Sequence, residues 1–467
     1  MSTPRKVVII GAGPAGYVCA IRLAQLGQQV TVVEKEYLGG TCLNVGCIPS
    51  KALIAAGSLL DKIGHASAMG ITAENVKLDV EQLVSWKTSV VGKLTGGIGV
   101  LLKNHKVKVL MGTATIKSRT TVEVAAADGK QMLTADDIVI ATGSIPIAIP
   151  GFDFDEKNVW SSTGGLRPES IPEHLVVIGG GYIGLELGMM YSKLGSQVTV
   201  VEFTKGALPG QDRDCVKVIE RSLKKRKIKL RTESQALGYE RKDGKSHVRI
   251  KTPKGEETIV CDQILSTVGR RPYSGGLGLE NAGLKTDKRG FLVVDKQMRT
   301  SVPNIYAVGD IAGQPMLAHK GSKEGLVAAA VIAGQAEEYD VRCVPAVIFT
   351  APEMASVGLT AEQCKEQGLE TKVGQFPFAA SGRAMSLMET EGFCKIIADA
   401  KTDEILGVHM VGPEVTELIA EAALAIEMGA TTEDLARTIH AHPTLPEAMM
   451  EAAEAVHSMA VHIFQKP

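Results

Sequence analysis

Two cysteines separated by four residues stand in a glycine-rich stretch of this chain. They are Cys42 and Cys47, and Lys51 follows four positions after the second. Residues five apart on a regular α-helix are separated by about 7.5 Å of rise and about 140° of rotation. A disulfide needs its Cα atoms within roughly 4.4–6.8 Å. The two thiols can therefore pair only if the backbone between them leaves the regular helix, and Gly46 provides that freedom.

The residues after the second cysteine favour a thiolate. Pro49 suits the first turn of a helix that would continue through Ile54, and Cys47 and Lys51 would share a face of it. A lysine cation and a helix N-terminus both lower the pKa of a nearby thiol. We predict a redox-active disulfide that exchanges electrons with a cofactor. Two neighbouring buried cysteines without chemistry are the alternative that the pair alone leaves open.

A dinucleotide-binding fingerprint precedes the cysteines. Residues 6–34 read as strand, glycine-rich loop, helix and strand. In such a unit Gly11 makes the tight turn, Gly13 lets the backbone approach the pyrophosphate, and Gly16 lets helix and strand pack closely. The helix N-terminus attracts the phosphates, and Glu34 would accept hydrogen bonds from the ribose hydroxyls.

The fingerprint repeats over residues 174–202. Gly179, Gly181 and Gly184 form the second loop. The spacing from the first glycine to the acid, here Glu202, equals that in the first copy. Two fingerprints in the same strand and helix context predict two bound dinucleotides.

The second acid indicates which nicotinamide form binds. Glu202 would pair with free ribose hydroxyls and repel a 2′-phosphate, so NAD is favoured over NADP. Arg270 and Arg271 are the contrary signal. We give them less weight because they are distant in sequence and follow a strand and Gly269 in a loop.

Several further motifs make the chain similar to a known family over essentially its whole length. Besides the cysteine loop they are Ala141-Thr142-Gly143-Ser144, Ala307-Val308-Gly309-Asp310-Ile311, Phe349-Thr350-Ala351-Pro352-Glu353 and the ending from His440 to Glu447. With them the chain resembles the pyridine nucleotide-disulfide oxidoreductases. The resemblance implies an α/β fold with two Rossmann-like dinucleotide-binding domains, a small central domain and an α+β C-terminal dimerisation domain.

The resemblance also implies domain boundaries and cofactor contacts. We expect an FAD-binding domain with the redox disulfide at 1–149, an NAD-binding domain at 150–275, a central domain completing the FAD site at 276–344, and the interface domain at 345–467. The implied FAD contacts are Gly11, Gly13, Gly16, Glu34, Lys51, Gly112, Thr142, Gly143, Ser144, Asp310 and Ala318. The implied NAD contacts are Gly179, Gly181, Gly184, Glu186, Glu202 and Gly269.

Family membership would give the catalytic residues unequal roles. Cys42 would face the substrate and Cys47 the flavin, and Glu186 would pair with Lys51. Dithiol oxidation needs a base that works near neutral pH, which histidine supplies, and Glu447 could fix the tautomer of His442. From the residues alone His442 could equally be an ordinary loop histidine.

The family resemblance further implies a homodimer, because the histidine and glutamate of the last motif reach into the partner subunit's active site. His440 fits that motif less well than His442. The last segment shows helices such as 415–428 with an apolar stripe. From the pattern alone that stripe could belong to a monomer's core.

Within the family, the cysteine loop and the ending look most like members that oxidise protein-bound dihydrolipoamide with NAD+. The partner would be the lipoyl domain of the acyltransferase of a 2-oxo acid dehydrogenase complex, or a glycine-cleavage carrier protein. A reductase of glutathione or another small disulfide is the alternative, and a non-catalytic flavin-binding scaffold is a remote one. Mercuric reductases are disfavoured because the tail from Val461 to Pro467 lacks their cysteine pair.

Composition excludes several other classes. The 467 residues suggest several domains, and 45% hydrophobic and 22% charged residues are ordinary for a globular protein. A net charge of -1 gives no argument for nucleic acid. The scattered remaining cysteines suggest neither a secreted disulfide framework nor a metal site. We expect no membrane span, since no apolar run looks long enough, and a cytoplasmic location, since the N-terminus lacks a signal-peptide layout.

Overall fold

The structure is a computed structural model that describes residues 4–465. Residues 1–3 of the N-terminal segment and residues 466–467 of the tail, both used above, lie outside the described part. The strands are β1 (Lys6–Ile10), β2 (Gln29–Glu34), β3 (Lys108–Met111), β4 (Thr113–Ser118), β5 (Thr121–Ala126), β6 (Gly129–Thr134), β7 (Asp137–Ile140), β8 (Ser144–Pro146), β9 (Val159–Trp160), β10 (His174–Ile178), β11 (Gln197–Val201), β12 (Lys229–Arg231), β13 (Gln235–Lys242), β14 (Lys245–Thr252), β15 (Gly255–Cys261), β16 (Gln263–Ser266), β17 (Arg270–Pro272), β18 (Ile305–Ala307), β19 (Ala346–Ile348), β20 (Glu353–Gly358), β21 (Thr371–Pro377), β22 (Phe393–Asp399) and β23 (Ile405–Gly412).

The helices in the described part of the chain differ widely in length. They are α1 (Pro14–Gln25), α2 (Gly40–Val45), α3 (Cys47–His65), α4 (Val80–Asn104), α5 (Tyr182–Lys193), α6 (Arg213–Lys225), α7 (Ala318–Ile332), α8 (Ala361–Glu366), α9 (Gly382–Leu387), α10 (Val415–Met428), α11 (Thr432–Arg437) and α12 (Glu447–Val456). The predicted helix at 415–428 is confirmed as α10.

The first nucleotide-binding unit is a five-stranded parallel sheet in the order β18-β7-β1-β2-β3. The central strand β1 is apolar and buried from Val7 to Ile10, as expected for a parallel strand covered on both faces. Helix α1 packs against α7 beside it. Strand β18 comes from near residue 300, so a distant segment completes this sheet.

The second unit repeats the first. Its sheet runs β12-β11-β10-β16-β9, with β10 in the central position that β1 holds. The registers correspond, since Lys6 lies opposite Gln29 and His174 lies opposite Gln197. The two predicted Rossmann-like units are confirmed. Two three-stranded antiparallel sheets, β4-β5-β6 and β13-β14-β15, accompany them.

The C-terminal unit is an antiparallel sheet in the order β19-β20-β23-β22-β21. Helices α10 and α12 pack on this sheet. Their buried faces share one core with it, including Ile419 and Ala452. The fold class is therefore the expected one. The numbered domain boundaries stay predictions.

The segment that carries the cysteines corrects one expectation. Residues Gly40–Met69 form a helical stretch that is long and apolar enough, by length and composition alone, to cross a membrane. The prediction that no such run exists was wrong, because leucines, isoleucines and cysteines spread among the polar residues raise the mean hydropathy of the stretch. In this fold the helix belongs to the core, since Leu53 is fully buried and α3 packs against α5.

Candidate active site

Gly46 breaks the helical path between the two cysteines. Its φ of -145° and ψ of -113° end α2 and begin α3, so Cys42 lies in the middle of one short helix and Cys47 is the first residue of the next. The two side chains hydrogen-bond to each other and line one cavity. Both are free thiols in the structure. The geometry brings the pair together as predicted, and the disulfide itself stays a prediction.

The two thiols differ in acidity. The hydrogen bond from Cys42 lowers the pKa of Cys47 against partial desolvation of the thiol, and the Lys51 charge lowers it further. The same hydrogen bond and burial raise the pKa of Cys42. A reduced pair at this site therefore carries its negative charge on Cys47, at the N-terminus of α3, where a helix dipole also favours an anion.

An ion pair lies directly behind Cys47. Lys51 Nζ is 2.9 Å from Glu186 Oε2, which joins α3 to α5 of the second nucleotide-binding unit. The Glu186 side chain is only 6% exposed. A buried carboxylate needs such a partner. The pairing implied by the resemblance is confirmed. It turns Glu186 towards the cysteine cavity, and its contact with NAD stays a prediction.

The cavity beside the cysteines fits a long cofactor at the end of the first sheet. Its lining includes the predicted residues Gly11, Gly13, Glu34, Lys51, Thr142, Gly143, Ser144, Asp310 and Ala318. Gly11 has a φ of +106°, and a Cβ there would lie 2.3 Å from the Ala141 carbonyl oxygen. A Cβ on Gly16 would lie 2.0 Å from the Gly11 oxygen, which matches its predicted packing role.

Gly112, like Gly16, lies away from the cavity that the other predicted FAD residues line. Its amide donates to the Glu34 carbonyl oxygen at 2.7 Å, and a Cβ there would lie 2.6 Å from the Ala125 oxygen. Packing against β5 thus accounts for this glycine, and its cofactor contact stays a prediction.

The two strand-end glutamates have equivalent surroundings. Glu34 accepts hydrogen bonds from the amides of Ala12, at 2.8 Å, and Glu36, at 2.9 Å. Glu202 accepts them from Gly180, at 2.6 Å, and Thr204, at 2.7 Å. Both carboxylates are buried beneath their glycine loops. Each is held where a dinucleotide ribose would meet the loop.

Arg270 does not lie at the second glycine loop, where it would have to be to bind the 2′-phosphate of NADP. Its Nε donates to Ser144 Oγ at 2.8 Å and its Nη2 donates to the Ser144 carbonyl oxygen at 2.6 Å. Ser144 Oγ in turn donates to Asp310. Arg270 therefore lines the cavity beside the cysteines. Sequence reasoning missed this role, and the one signal was the arginine's place after a buried strand.

The histidines of the last motif separate clearly. His442 Nδ1 lies 2.8 Å from Glu447 Oε1, and its side chain is 80% exposed. His440 has a side chain only 5% exposed, with Nε2 2.9 Å from Glu421 and Nδ1 bonded to the Thr438 carbonyl. Both nitrogens of His440 are occupied, so His442 is the one available as a base.

Glu447 is held as a carboxylate. Burial alone would raise its pKa, but the Thr444 amide and His442 lower it overall. Thr444 donates to Glu447 Oε2 at 2.7 Å while His442 uses Oε1. A carboxylate on Nδ1 makes Nε2 the proton-accepting nitrogen, and that edge faces outward.

Comparison with known proteins gives one consistent result. The family model described as "Pyridine nucleotide-disulphide oxidoreductase" matches residues 5–325, and the model of that family's dimerisation domain matches residues 344–453. A dihydrolipoyl dehydrogenase of Thermus scotoductus is 50% identical over 463 residues, covering 98% of this chain and 99% of the relative. One of Geobacillus stearothermophilus is 48% identical over 461 residues, covering 99% and 98%.

Solved structures agree in fold. LpdA of Mycobacterium tuberculosis superposes with a TM-score of 0.90 at 29% identity, covering 96% of this chain and 99% of that one. An HOCl-induced flavoprotein disulfide reductase, RclA of Escherichia coli, gives a TM-score of 0.86 at 28% identity, with the same coverage. The likeness extends over both nucleotide-binding units and the antiparallel sheet.

Proposed function

Because the chain belongs to the pyridine nucleotide-disulphide oxidoreductase family, we propose that it oxidises dihydrolipoamide to lipoamide and reduces NAD+ to NADH. The observation that carries this proposal is the Cys42–Cys47 pair, which opens on the cavity of the first fingerprint with the Lys51–Glu186 ion pair behind it. Relatives that match at 47–50% identity over nearly the whole chain are named dihydrolipoyl dehydrogenases.

The cofactors are FAD and NAD. Gly11, Gly13, Glu34 and Asp310 line a cavity that suits FAD, and Glu202 at the second loop suits the unphosphorylated ribose of NAD. When bound, FAD supplies a two-electron acceptor between the dithiol and NAD+. The chain's own residues bind these groups, hold the thiolate and move the substrate proton.

Dithiol oxidation begins with proton removal. Nε2 of His442 accepts a proton from one substrate thiol while Glu447 holds Nδ1. The thiolate attacks Sγ of Cys42 in the oxidised pair, so a mixed disulfide forms and Cys47 leaves as thiolate. The second substrate thiol then attacks the substrate sulfur of the mixed disulfide, which closes the lipoyl ring, and its proton passes to Cys42 as that sulfur leaves. One disulfide is made and one is broken, and the electron pair remains on the cysteines.

Because His442 is exposed, it needs a neighbouring subunit that brings a substrate thiol and the reacting cysteines to it. The dimerisation-domain match over residues 344–453 supports a homodimer. In such a dimer each His442 would serve the cysteines of the partner subunit. We further propose that the physiological dithiol is carried by the lipoyl domain of an acyltransferase or by a glycine-cleavage carrier protein. The chain's cysteine usage, with one close pair among 8 cysteines, supports a cytoplasmic location.

The second candidate is a reductase of glutathione or another small disulfide. The buried Glu202, which repels a 2′-phosphate, weighs against one that depends on NADP. Steady-state rates decide between the two. We expect rapid NADH formation from dihydrolipoamide and NAD+, slow reaction with NADP+, and negligible NADH oxidation by oxidised glutathione. Faster turnover of oxidised glutathione than of lipoamide would overturn the proposal.

A further inference from the structure

Phe349 makes two contacts with the ion pair behind Cys47. It follows β19 and comes from the C-terminal unit, far in sequence from both partners. Its amide donates to Glu186 Oε1 at 2.9 Å. Its ring lies under the lysine, with Lys51 Nζ 4.3 Å from the ring centroid. One residue thus touches both the carboxylate and the ammonium.

These contacts divide the two oxygens of Glu186 between separate partners. Oε2 is 2.9 Å from Lys51 Nζ, and Oε1 accepts the Phe349 amide. Both oxygens of the Glu186 carboxylate are therefore held in place. A lysine ammonium on a flexible four-carbon stem has no planar fork to fix its direction. The aromatic face below the ammonium supplies a second attraction that Glu186 alone does not give.

The backbone around Phe349 is itself held in place. The Ala351 carbonyl accepts a hydrogen bond from Ser222 of α6, in the second nucleotide-binding unit. Thr350 Oγ1 donates to the Pro352 carbonyl at 2.8 Å. The segment after β19 is thus anchored to the second unit, and the phenyl ring is presented to Lys51 from a fixed position.

We propose that Phe349 is a positioning residue that holds the Lys51 ammonium against Glu186 beside Cys47, so that docking of the C-terminal unit sets the charge that stabilises the Cys47 thiolate. The inference rests on the proposed function only for the use of that thiolate in dithiol oxidation. It gives the Phe349-to-Glu353 motif a task at the redox centre.

The test measures the Cys47 thiolate itself. In holoenzyme carrying Cys42→Ser, the remaining thiolate beside the flavin is followed by its long-wavelength charge-transfer absorbance during a pH titration. Phe349→Leu removes the aromatic face and keeps the amide. We expect the midpoint to move up by about half a pH unit, since a less fixed cation stabilises the thiolate less. An unchanged midpoint in Phe349→Leu would overturn the proposal.

Controls separate this effect from general damage. Phe376→Leu changes a buried phenylalanine in strand β21 of the same C-terminal unit, and its midpoint should stay at the wild-type value. Phe349→Tyr keeps an aromatic ring beside Lys51, so its midpoint should equal that of the protein with Phe349. If Phe349→Leu fails to fold, stepwise fluorination of Phe349 weakens the ring's attraction for a cation with little change in shape. The midpoint should then rise with each fluorine, and a flat series would contradict the proposal.

Turnover provides a second readout with Cys42 intact. Phe349→Leu should lower kcat by about two- to fivefold with little change in the KM for dihydrolipoamide, because Phe349 acts on Lys51 and not on the substrate. A rise in KM with unchanged kcat would contradict the positioning role. If wild-type protein fails to oxidise dihydrolipoamide while the titration midpoint still shifts, the proposed function fails and the role of Phe349 stands.

Discussion

Nδ1 of His442 lies 2.8 Å from Oε1 of Glu447, at the first residue of α12. The second carboxylate oxygen accepts the Thr444 amide, so the glutamate cannot turn away from the imidazole. This arrangement leaves Nε2 as the free, proton-accepting edge of an exposed ring. Because this edge of the ring is exposed, the thiol from which Nε2 takes a proton has to be brought to it by another molecule or subunit.

Replacing His442 with glutamine should remove the base and leave the cysteine pair in place. We expect kcat for dihydrolipoamide oxidation to fall by about 10²- to 10⁴-fold, the usual contribution of a general base. Flavin content should stay unchanged. His440→Gln is the matched control, since that ring is buried and already bonded at both nitrogens. An equal loss in both variants would show that the motif's role is structural.

Lys51 should govern the pH dependence of the Cys47 thiolate. The hydrogen bond from Cys42 and the Lys51 charge hold the Cys47 pKa below its ordinary value, so the thiolate persists below the range of an ordinary cysteine and is lost as pH falls through that pKa. Lys51→Met should move the loss to higher pH. Titrating the charge-transfer absorbance of reduced protein measures this directly. An unshifted or lowered midpoint would be inconsistent with the geometry.

Glu202 and Glu34 offer a matched pair of variants. Each carboxylate accepts two backbone amides at the end of its strand. Glu202→Gln should lower kcat/KM for NAD+ by roughly tenfold or more, since charge-assisted hydrogen bonds contribute about 1.5–3 kcal/mol. It should also reduce the ratio of kcat/KM for NAD+ to kcat/KM for NADP+. Glu34→Gln should instead weaken flavin retention. The same effect on both cofactors from either variant would contradict the assignment.

Gly16 permits a close approach between helix α1 and the glycine loop. A Cβ there would lie 2.0 Å from the Gly11 carbonyl oxygen, which cannot move without opening the turn. We expect Gly16→Ala to cost about 1–3 kcal/mol of stability and to release flavin. Thermal unfolding and flavin content measure both effects. Gly64→Ala on α3 is the control, since its Cβ would meet nothing within 4 Å, and it should be neutral or slightly stabilising.

The sequence allowed prediction of features that depend on neighbouring residues. The two fingerprints, the break at Gly46 and the helix face shared by Cys47 and Lys51 all follow from local spacing. The Lys51–Glu186 pair, whose members are 135 positions apart, was available only through the family resemblance.

Contacts across distant elements could not be read in the same way. Arg270 and Ser144 are 126 positions apart, and they meet because β17 pairs with β8 beside the cavity. Phe349 reaches Lys51 because an anchored segment of the C-terminal unit lies against the nucleotide-binding units. No periodicity or spacing encodes such meetings, since they depend on how the units pack.

The most direct test of the account uses two inactive variants together. Cys47→Ser and His442→Gln are co-expressed with different tags, and NADH formation from dihydrolipoamide and NAD+ is measured. If each active site combines the cysteines of one subunit with His442 of the other, a mixed dimer has one intact site. Random pairing then restores about a quarter of wild-type activity. A mixture as inactive as its separate components, with mixed dimers isolated by both tags, would contradict the account.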